Sequence, residues 1–204
     1  MEGMSIPAVV LAAGQSQRLG QPKALVPIGG KALIVRAWNE LRTAGCEPIV
    51  VVVNDTLASE VQCLLPEARL VINPHPENGR TGTLQHGLEA LMANRDALPE
   101  QLVMAPVDRP GWRAEIVRRL LDEAGCVAPS SGGRNGHPVV LDKVALQKVS
   151  NAAPDASLRE LLVFEPVEVD APWLDLNIDT AEDLVGLERH ASALKAYFQQ
   201  GEGI

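Results

Sequence analysis

The segment PAVVLAAGQSQRLGQPK (residues 7–23) joins an apolar run to a glycine-bearing loop that ends in a lysine. Its first six residues form a short continuous apolar stretch, which is typical of a strand buried on both faces of a sheet. A second run of this kind, PIVVVV, occupies residues 48–53. Because an amphipathic segment separates the two runs, the pattern indicates a parallel strand–helix–strand unit.

The same alternation continues along the chain. Further strands are predicted over residues 69–72, 101–107 and 138–141, and amphipathic helices over residues 31–45, 82–95, 112–125 and 180–198. The stretches 73–82 and 129–138 are predicted to be irregular loops. We therefore expect one three-layer α/β/α domain over residues 1–204, with a mostly parallel sheet between two layers of helices.

Composition excludes several classes of protein. The 204 residues are 46% hydrophobic, which suffices for a sizeable core, yet no run approaches the roughly 20 apolar residues of a membrane span. A secretory signal has a basic region ahead of its apolar run, and none precedes the first apolar run here, so no such signal is predicted. The net charge of −8 and the aromatic content of 3% argue against a nucleic-acid-binding surface. Three widely spaced cysteines (Cys46, Cys63 and Cys126) form no disulfide or metal pattern, so we expect a cytoplasmic protein.

The loop after the first strand is a candidate anion site. Gly14 lets the backbone approach a ligand without an intervening Cβ, and Arg18 and Lys23 add charged donors for phosphate oxygens. Two common phosphate-loop templates do not match. In G-x-G-x-x-G, Ser16 stands in place of the second glycine. In the P-loop template, the last glycine is followed by Lys and then by Ser or Thr, whereas Gly20 is followed by Gln21. Two interpretations of this loop therefore remain: it binds phosphate, or it is a plain turn whose cations are solvated.

Two aspartates follow strand-like segments in separate loops. Asp108 ends the predicted strand 101–107, and Asp179 ends the segment LDLNID before the last predicted helix. Either aspartate also suits a helix cap or a turn. However, parallel sheets bind ligands at the carboxyl ends of their strands. The pair there suits Mg²⁺, which prefers carboxylate oxygens and shares them with substrate phosphates.

Polar groups are also concentrated in two other segments. In NGRTGTLQHG (78–87), Gly82 and Thr83 are predicted to begin a helix and to present N–H groups and a hydroxyl. In GRNGHPVVL (133–141), Arg134 and His137 lie at a loop–strand junction, where His137 could equally hydrogen-bond its own loop. Thr180 and Asp183 match the outline of a capping box in which Asp replaces Glu or Gln.

Four segments together resemble the molybdopterin nucleotidyltransferases, part of the wider nucleoside-triphosphate transferase superfamily. They are LAAG-x-S-x-R-L-G-x-P-K, VDRP, GHPVVL and N-x-D-T-x-E-D-L, and the likeness covers about residues 7–190. The resemblance implies a Rossmann-like fold and transfer of a nucleoside monophosphate from a triphosphate to molybdopterin, with release of pyrophosphate. Mg²⁺ is the implied cofactor.

The resemblance also implies roles for individual residues. The nucleotide would be bound by Leu11, Ala12, Ala13, Gly14, Arg18, Lys23, Gly82 and Thr83. Arg18 would hold the triphosphate tail and Lys23 the α-phosphate, while Asp108 would bind Mg²⁺ with Asp179 as a second ligand. The acceptor would lie near Arg134, His137 and Asn177. Since its phosphate is already ionised, catalysis needs cations rather than a strong base, so Lys23, Arg18 and Asp108 are the expected catalytic residues.

The resemblance favours one nucleotide over another. Members that use GTP usually read LAGG where this chain reads LAAG, and GHPV is more typical of cytidylyltransferases, so we expect CTP and an accessory role for a molybdoenzyme. Two positions depart from the family: Arg109 replaces Gln and Ala181 replaces Pro. Two rivals stay open, namely transfer to another acceptor such as a sugar phosphate (or from GTP), and a non-catalytic nucleotide- or cofactor-binding chaperone.

Overall fold

The computed structural model describes residues 5–93 and 95–199. Its central element is a sheet of eight strands. The described residues form ten strands, of which β2 and β3 lie outside this sheet: β1 (Ala8–Ala12), β2 (Pro27–Ile28), β3 (Lys31–Ala32), β4 (Ile49–Val53), β5 (Arg69–Ile72), β6 (Gln101–Pro106), β7 (Val127–Ser131), β8 (Arg134–Asn135), β9 (Val139–Asp142) and β10 (Glu165–Glu168). The helices are α1 (Leu33–Thr43), α2 (Asp55–Leu64), α3 (Gly79–Met92), α4 (Ala114–Leu121), α5 (Lys143–Asn151), α6 (Leu158–Leu161), α7 (Ala181–Arg189) and α8 (Ala191–Gln199).

The sheet is mostly parallel, as predicted. Its order is β10-β7-β9-β6-β1-β4-β5, with the short β8 paired to β7, while β2 and β3 form a separate hairpin. β1 lies at the centre, parallel to both β4 and β6. β9 runs antiparallel to both of its neighbours, and β8 is antiparallel to β7. All five predicted strands are present.

The helices form two layers because alternate residues of the central strands face opposite sides. Val9 and Val52 pack with the apolar faces of α3 and α5, whereas Val10 and Val51 pack with α1, α2, α4, α7 and α8. The strands β1 and β4 are buried along their whole length. This confirms the predicted three-layer α/β/α arrangement, although residues 1–4, 94 and 200–204 of the predicted domain lie outside the described residues.

Several elements differ from the prediction. The helix predicted over 180–198 is two helices, α7 and α8, with His190 capping the first. The loop predicted over 129–138 contains most of β7 and all of β8, because the proline and serines of VAPSS hide its strand character. The predicted helix 82–95 begins earlier, at Gly79. Six further strands and helices were not predicted: β2, β3, β10, α2, α5 and α6.

The three cysteines carry no disulfide: Cys46 is buried, Cys63 is exposed and Cys126 is intermediate. Over residues 5–93 and 95–199, no helix combines the length and apolar character that crossing a bilayer demands.

Candidate active site

The loop after β1 is a compact turn closed on Ser16. The amides of Leu19 and Gly20 donate to the Ser16 carbonyl at 3.1 and 3.2 Å. The Ser16 hydroxyl accepts from the Lys23 amide at 3.0 Å. Ser16 has a φ of 53°, in the left-handed region that glycine usually occupies. Ser16 therefore adopts a left-handed conformation at the position of the template's second glycine, and its side chain is hydrogen-bonded within the loop.

Asn54, at the end of β4, holds the beginning of this loop. Its Nδ2 donates to the Ala13 carbonyl at 3.1 Å, and its Oδ1 accepts from the Leu57 amide at 3.1 Å. One side chain thus fixes the end of β1 and also caps α2. The sequence analysis missed this residue, although an Asn directly after a strand and before DTLASEVQCL is a capping signal.

Lys23 lies between the two predicted metal-binding aspartates. Its Nζ donates to Asp179 Oδ1 and lies 3.6 Å from Asp108 Oδ2. Arg18 pairs with the other oxygen of Asp179, and Arg80 lies 3.5 Å from Asp108 Oδ2. The structure therefore brings together all four charged residues predicted for catalysis and metal binding, and adds Arg80, which sequence analysis did not select. We call these five residues the charge cluster.

The charge cluster keeps Asp179 ionised. The hydrogen bond from Lys23 lowers the pKa of the Asp179 carboxyl, and the charges of Lys23 and Arg18 lower it further against the opposing effect of burial. Asp179 is not the helix cap that its position also suggested. Thr180 is the N-cap of α7, and Asp183 completes a capping box with it, as predicted. The Asp179 side chain is therefore available to the site.

Backbone contacts hold the two aspartate loops together. The Ile178 amide donates to the Asp108 carbonyl at 2.9 Å. Gly111 lies so close to the other loop that an added Cβ would sit 1.6 Å from the Trp173 carbonyl oxygen. Asp183 accepts from the amides of both Asp179 and Thr180 at 2.8 Å. These contacts fix the distance between the two carboxylates.

Two cavities meet at the charge cluster. The first, of about 140 Å³, is lined by residues 11–14 together with Lys23, Thr83 and Asp108. The second, of about 730 Å³, is lined by Arg109, His137 and Arg159 among others. Gly79 and Arg80 line both cavities. The arrangement suits two substrates whose reacting groups meet beside Arg80.

Helix α3 begins three residues before the predicted start at Gly82. Because α3 begins at Gly79, Gly82 is within the helix, and its amide donates to the Pro154 carbonyl at 2.8 Å. Gly82 therefore offers no free amide to a nucleotide. Thr83 does line the first cavity; its hydroxyl donates to the Gly79 carbonyl and accepts from Asn73 at 3.1 Å.

Of the three residues predicted near the acceptor, one lines the second cavity. That residue is His137; burial and the charges of Arg80, Arg109 and Arg159 lower its pKa to about 3, so the imidazole is neutral. Arg134 is 78% exposed, lies 3.7 Å from Asp175 and lines neither cavity. Asn177 is partly buried in the segment before Asp179 and lines neither cavity.

Residues 8–169 match the MobA-like NTP transferase domain. The chain belongs to this family. The molybdenum cofactor guanylyltransferase of Rhizobium johnstonii is 32% identical over 94% of this chain and 95% of its own length. The enzyme of the same name from Xanthomonas euvesicatoria is 37% identical over 59% of this chain and 57% of its own. Nicotine blue oxidoreductase of Paenarthrobacter nicotinovorans is 29% identical over 89% and 90%.

Solved structures share the fold. A nucleotidyl transferase from Methanothermobacter superposes with a TM-score of 0.73 at 22% identity, covering 94% of this chain and 99% of its own. Rv0371c of Mycobacterium tuberculosis, solved in complex with manganese, has a TM-score of 0.70 at 21% identity over 90% and 98%. Family membership confirms the prediction of an enzyme of the nucleotidyltransferase class.

Proposed function

We propose that this nucleotidyltransferase moves a cytidine monophosphate unit from CTP to the phosphate of a molybdopterin-type acceptor and releases pyrophosphate. The observation that carries the proposal is the position of Lys23, which lines the first cavity between Asp108 and Asp179 and shares Asp108 with Arg80, a residue that lines both cavities. A triphosphate in the first cavity and an acceptor in the second would present their reacting groups to the same cations.

Each part of the first cavity has a role in this reaction. The backbone of residues 11–14 and the Thr83 side chain, which line this cavity, would contact the nucleoside. Arg18 holds the triphosphate tail, and Lys23 neutralises the α-phosphate. An oxygen of the acceptor phosphate bonds to the α-phosphorus as the bond to the β-phosphate oxygen breaks. Charge builds up on the phosphoryl oxygens, so fixed cations supply most of the stabilisation.

The donor set suits a divalent cation. Asp108 and Asp179 contribute two carboxylates around one ammonium group. Within the described ranges no group of three His, Cys, Asp or Glu side chains converges. Mg²⁺ is commonly bound by one or two carboxylates plus substrate phosphates, so this pair is sufficient. The bound ion would supply Lewis-acid stabilisation of the phosphoryl oxygens. The manganese in the M. tuberculosis neighbour supports a divalent ion of this kind.

Binding of substrate and metal would change which groups the five residues of the charge cluster pair with. Without them, Lys23 and Arg18 neutralise Asp179, and Arg80 and Lys23 neutralise Asp108. With phosphates present, the three cations would contact phosphate oxygens, and the two carboxylates would face the metal. Each of the five residues therefore has a partner of opposite charge in both states, which limits the cost of burying the charges.

GTP is the second candidate donor. Ala13 in place of the glycine found in GTP-using members supports CTP. The names of the two guanylyltransferase relatives support GTP, and they also support a molybdopterin acceptor. A molybdoenzyme that receives the product and a cytoplasmic location remain predictions of this proposal.

A substrate panel tests the proposal. Pyrophosphate release is measured with each of the four nucleoside triphosphates, with Mg²⁺, and with or without molybdopterin. We expect molybdopterin-dependent release that is fastest with CTP. Release with GTP alone would assign guanylyl transfer, and release that requires a sugar phosphate instead of molybdopterin would refute the acceptor.

A further inference from the structure

The second cavity carries an excess of positive charge in an acidic protein. Its lining residues include three guanidinium groups (Arg80, Arg109 and Arg159) and one carboxylate, Asp155. The whole chain has a net charge of −8, so the excess is local. A cavity of about 730 Å³ is large enough for a ligand of cofactor size. A concentration of one sign of charge in such a cavity attracts a ligand of the opposite sign.

Two of these arginines have no anionic partner. Among residues 5–93 and 95–199, neither Arg109 nor Arg159 forms a salt bridge, whereas Arg80 pairs with Asp108. The Nε atom of Arg109 is buried and makes no hydrogen bond. A buried donor without a partner costs free energy, which oxygen atoms of a ligand would recover.

His137 adds a neutral polar group to the same cavity. Its Nδ1 is buried and has no hydrogen-bond partner. Because the imidazole is uncharged, it offers one donor and one acceptor without adding to the positive charge. Selection between ligands by charge therefore depends on the arginines, and His137 contributes a hydrogen bond.

We propose that the second cavity selects acceptors with two separate anionic groups. Arg80, at the junction of the cavities, takes the reacting phosphate, and Arg109 and Arg159 take a second acidic group such as a carboxylate, thiolate or second phosphate. This inference rests on the proposed function, because it assigns the second cavity to the acceptor. Arg109 and Arg159 are specificity-determining residues in this account.

The test compares two probes that differ by one acidic group. Binding of glycerol 3-phosphate and 3-phosphoglycerate to the full chain is measured by calorimetry. We expect 3-phosphoglycerate to bind at least about tenfold tighter, as expected of one additional charge-assisted contact. Arg109→Gln and Arg159→Gln should each reduce this preference to about threefold or less. Equal binding of the two probes, or an unchanged preference in both variants, would overturn the inference.

A matched control removes an arginine outside the cavity. Arg134→Gln deletes an exposed guanidinium that lies near Asp175, so it should keep the tenfold preference. Affinities for CTP and GTP are measured on the same proteins. They should change less than about twofold in Arg159→Gln, because Arg159 lines only the second cavity. If neither nucleotide binds while the preference persists, the proposed function fails and the two-anion cavity stands. If nucleotides bind and react but no preference exists, this inference alone fails.

Discussion

Lys23 is the residue that connects both aspartates of the charge cluster. Only 15% of its side chain is exposed, and the two carboxylates beside it are similarly shielded. In such an environment, a fixed ammonium stabilises developing phosphoryl charge much more strongly than it would in water. The structure gives no other lysine this position within the described residues.

Replacing Lys23 with Ala should reduce pyrophosphate release by about 100- to 1000-fold, as expected when one preorganised electrostatic contact is lost. The measurement is the steady-state rate with saturating triphosphate. Lys143→Ala is the matched control, because Lys143 pairs with Glu100 at the surface, 2.7 Å away. A rate within about threefold of wild type for Lys23→Ala would show that this lysine does not act in the reaction.

His137 should make stability depend on pH. Its folded pKa of about 3 lies below the ordinary value of 6.5, so the unfolded chain binds more protons between these values. Falling pH therefore favours unfolding across this window, by at most about 1.4 kcal/mol per pH unit. His137→Gln should flatten the slope of unfolding free energy, measured with urea from pH 7 to 4. Asn135→Gln, which removes no titratable group, should keep the wild-type slope; equal slopes in all three proteins would contradict the prediction.

Two of the site residues were predictable because they follow strands: Lys23 and Asp108 were selected because loops after parallel strands meet at one edge of the sheet. Asp179 was selected because the segment before it looks like a strand, although among the described residues no strand lies between β10 and α7. Arg80 was missed because it lies in the first turn of a helix, where an arginine carries no specific signal. Arg134 was selected from its place beside GHP, yet it lies in the short strand β8 and pairs with Asp175. No sequence pattern shows the direction of a surface side chain.

At the scale of elements, the active site depends on how the exit of β6 meets the segment before α7. Gly111 permits the close approach of these segments, because any Cβ there would collide with backbone atoms of Trp173. Backbone cannot move aside as a flexible side chain can. The two aspartates would then separate, since Ile178 is hydrogen-bonded directly to Asp108.

Gly111→Ala should lower the free energy of unfolding by about 1–3 kcal/mol, which is typical of overpacking. It should also weaken metal-dependent turnover, because the two carboxylates lose their spacing. Urea unfolding and pyrophosphate release measure the two effects. Gly186→Ala is the control: an added Cβ there meets nothing within 4 Å, and Ala should stabilise helix α7 by about 0.5–1 kcal/mol. Equal stability of the two variants would contradict this account.

Asp183→Ala should remove about 1 kcal/mol of stability, the usual cost of losing a helix cap. It should also raise the Mg²⁺ concentration needed for half-maximal activity, because Asp183 accepts the Asp179 amide and so positions that carboxylate. Glu182→Ala is the neighbouring control, in the same first turn but outside the capping box. The prediction is wrong if the Mg²⁺ requirement is the same in both variants.

Strands with continuous apolar sequence were predictable, and elements with mixed sequence were not. β1 and β4 are uninterrupted apolar runs because both of their faces are buried. β7 reads VAPSS, and β10 reads EPVE with three exposed residues, so neither resembles a buried strand. α2 was overlooked although Leu57 and Val61 share its buried face. A local sequence pattern does not predict a strand or helix whose burial depends on residues that are distant in the sequence.

At the scale of the whole molecule, the antiparallel strand β9 explains the second cavity. Val139 pairs with Met104, so β9 begins at the edge where β6 ends. His137, two residues before β9, therefore lies on the same edge as Asp108. A parallel strand would have placed it at the opposite edge. The sequence contains no signal for this reversal, and for that reason the acceptor side was less predictable than the nucleotide side.

Transfer of a nucleotidyl group from a triphosphate to the acceptor can be followed directly with a label at the α-phosphate, in the presence of Mg²⁺ and molybdopterin. The wild type is compared with Asp108→Asn. We expect label to enter the acceptor in a one-to-one ratio with pyrophosphate, and Asp108→Asn to lower the rate at least about 100-fold. Label that never enters an acceptor with any triphosphate, or transfer that Asp108→Asn leaves unchanged, would show that the charge cluster does not catalyse this transfer.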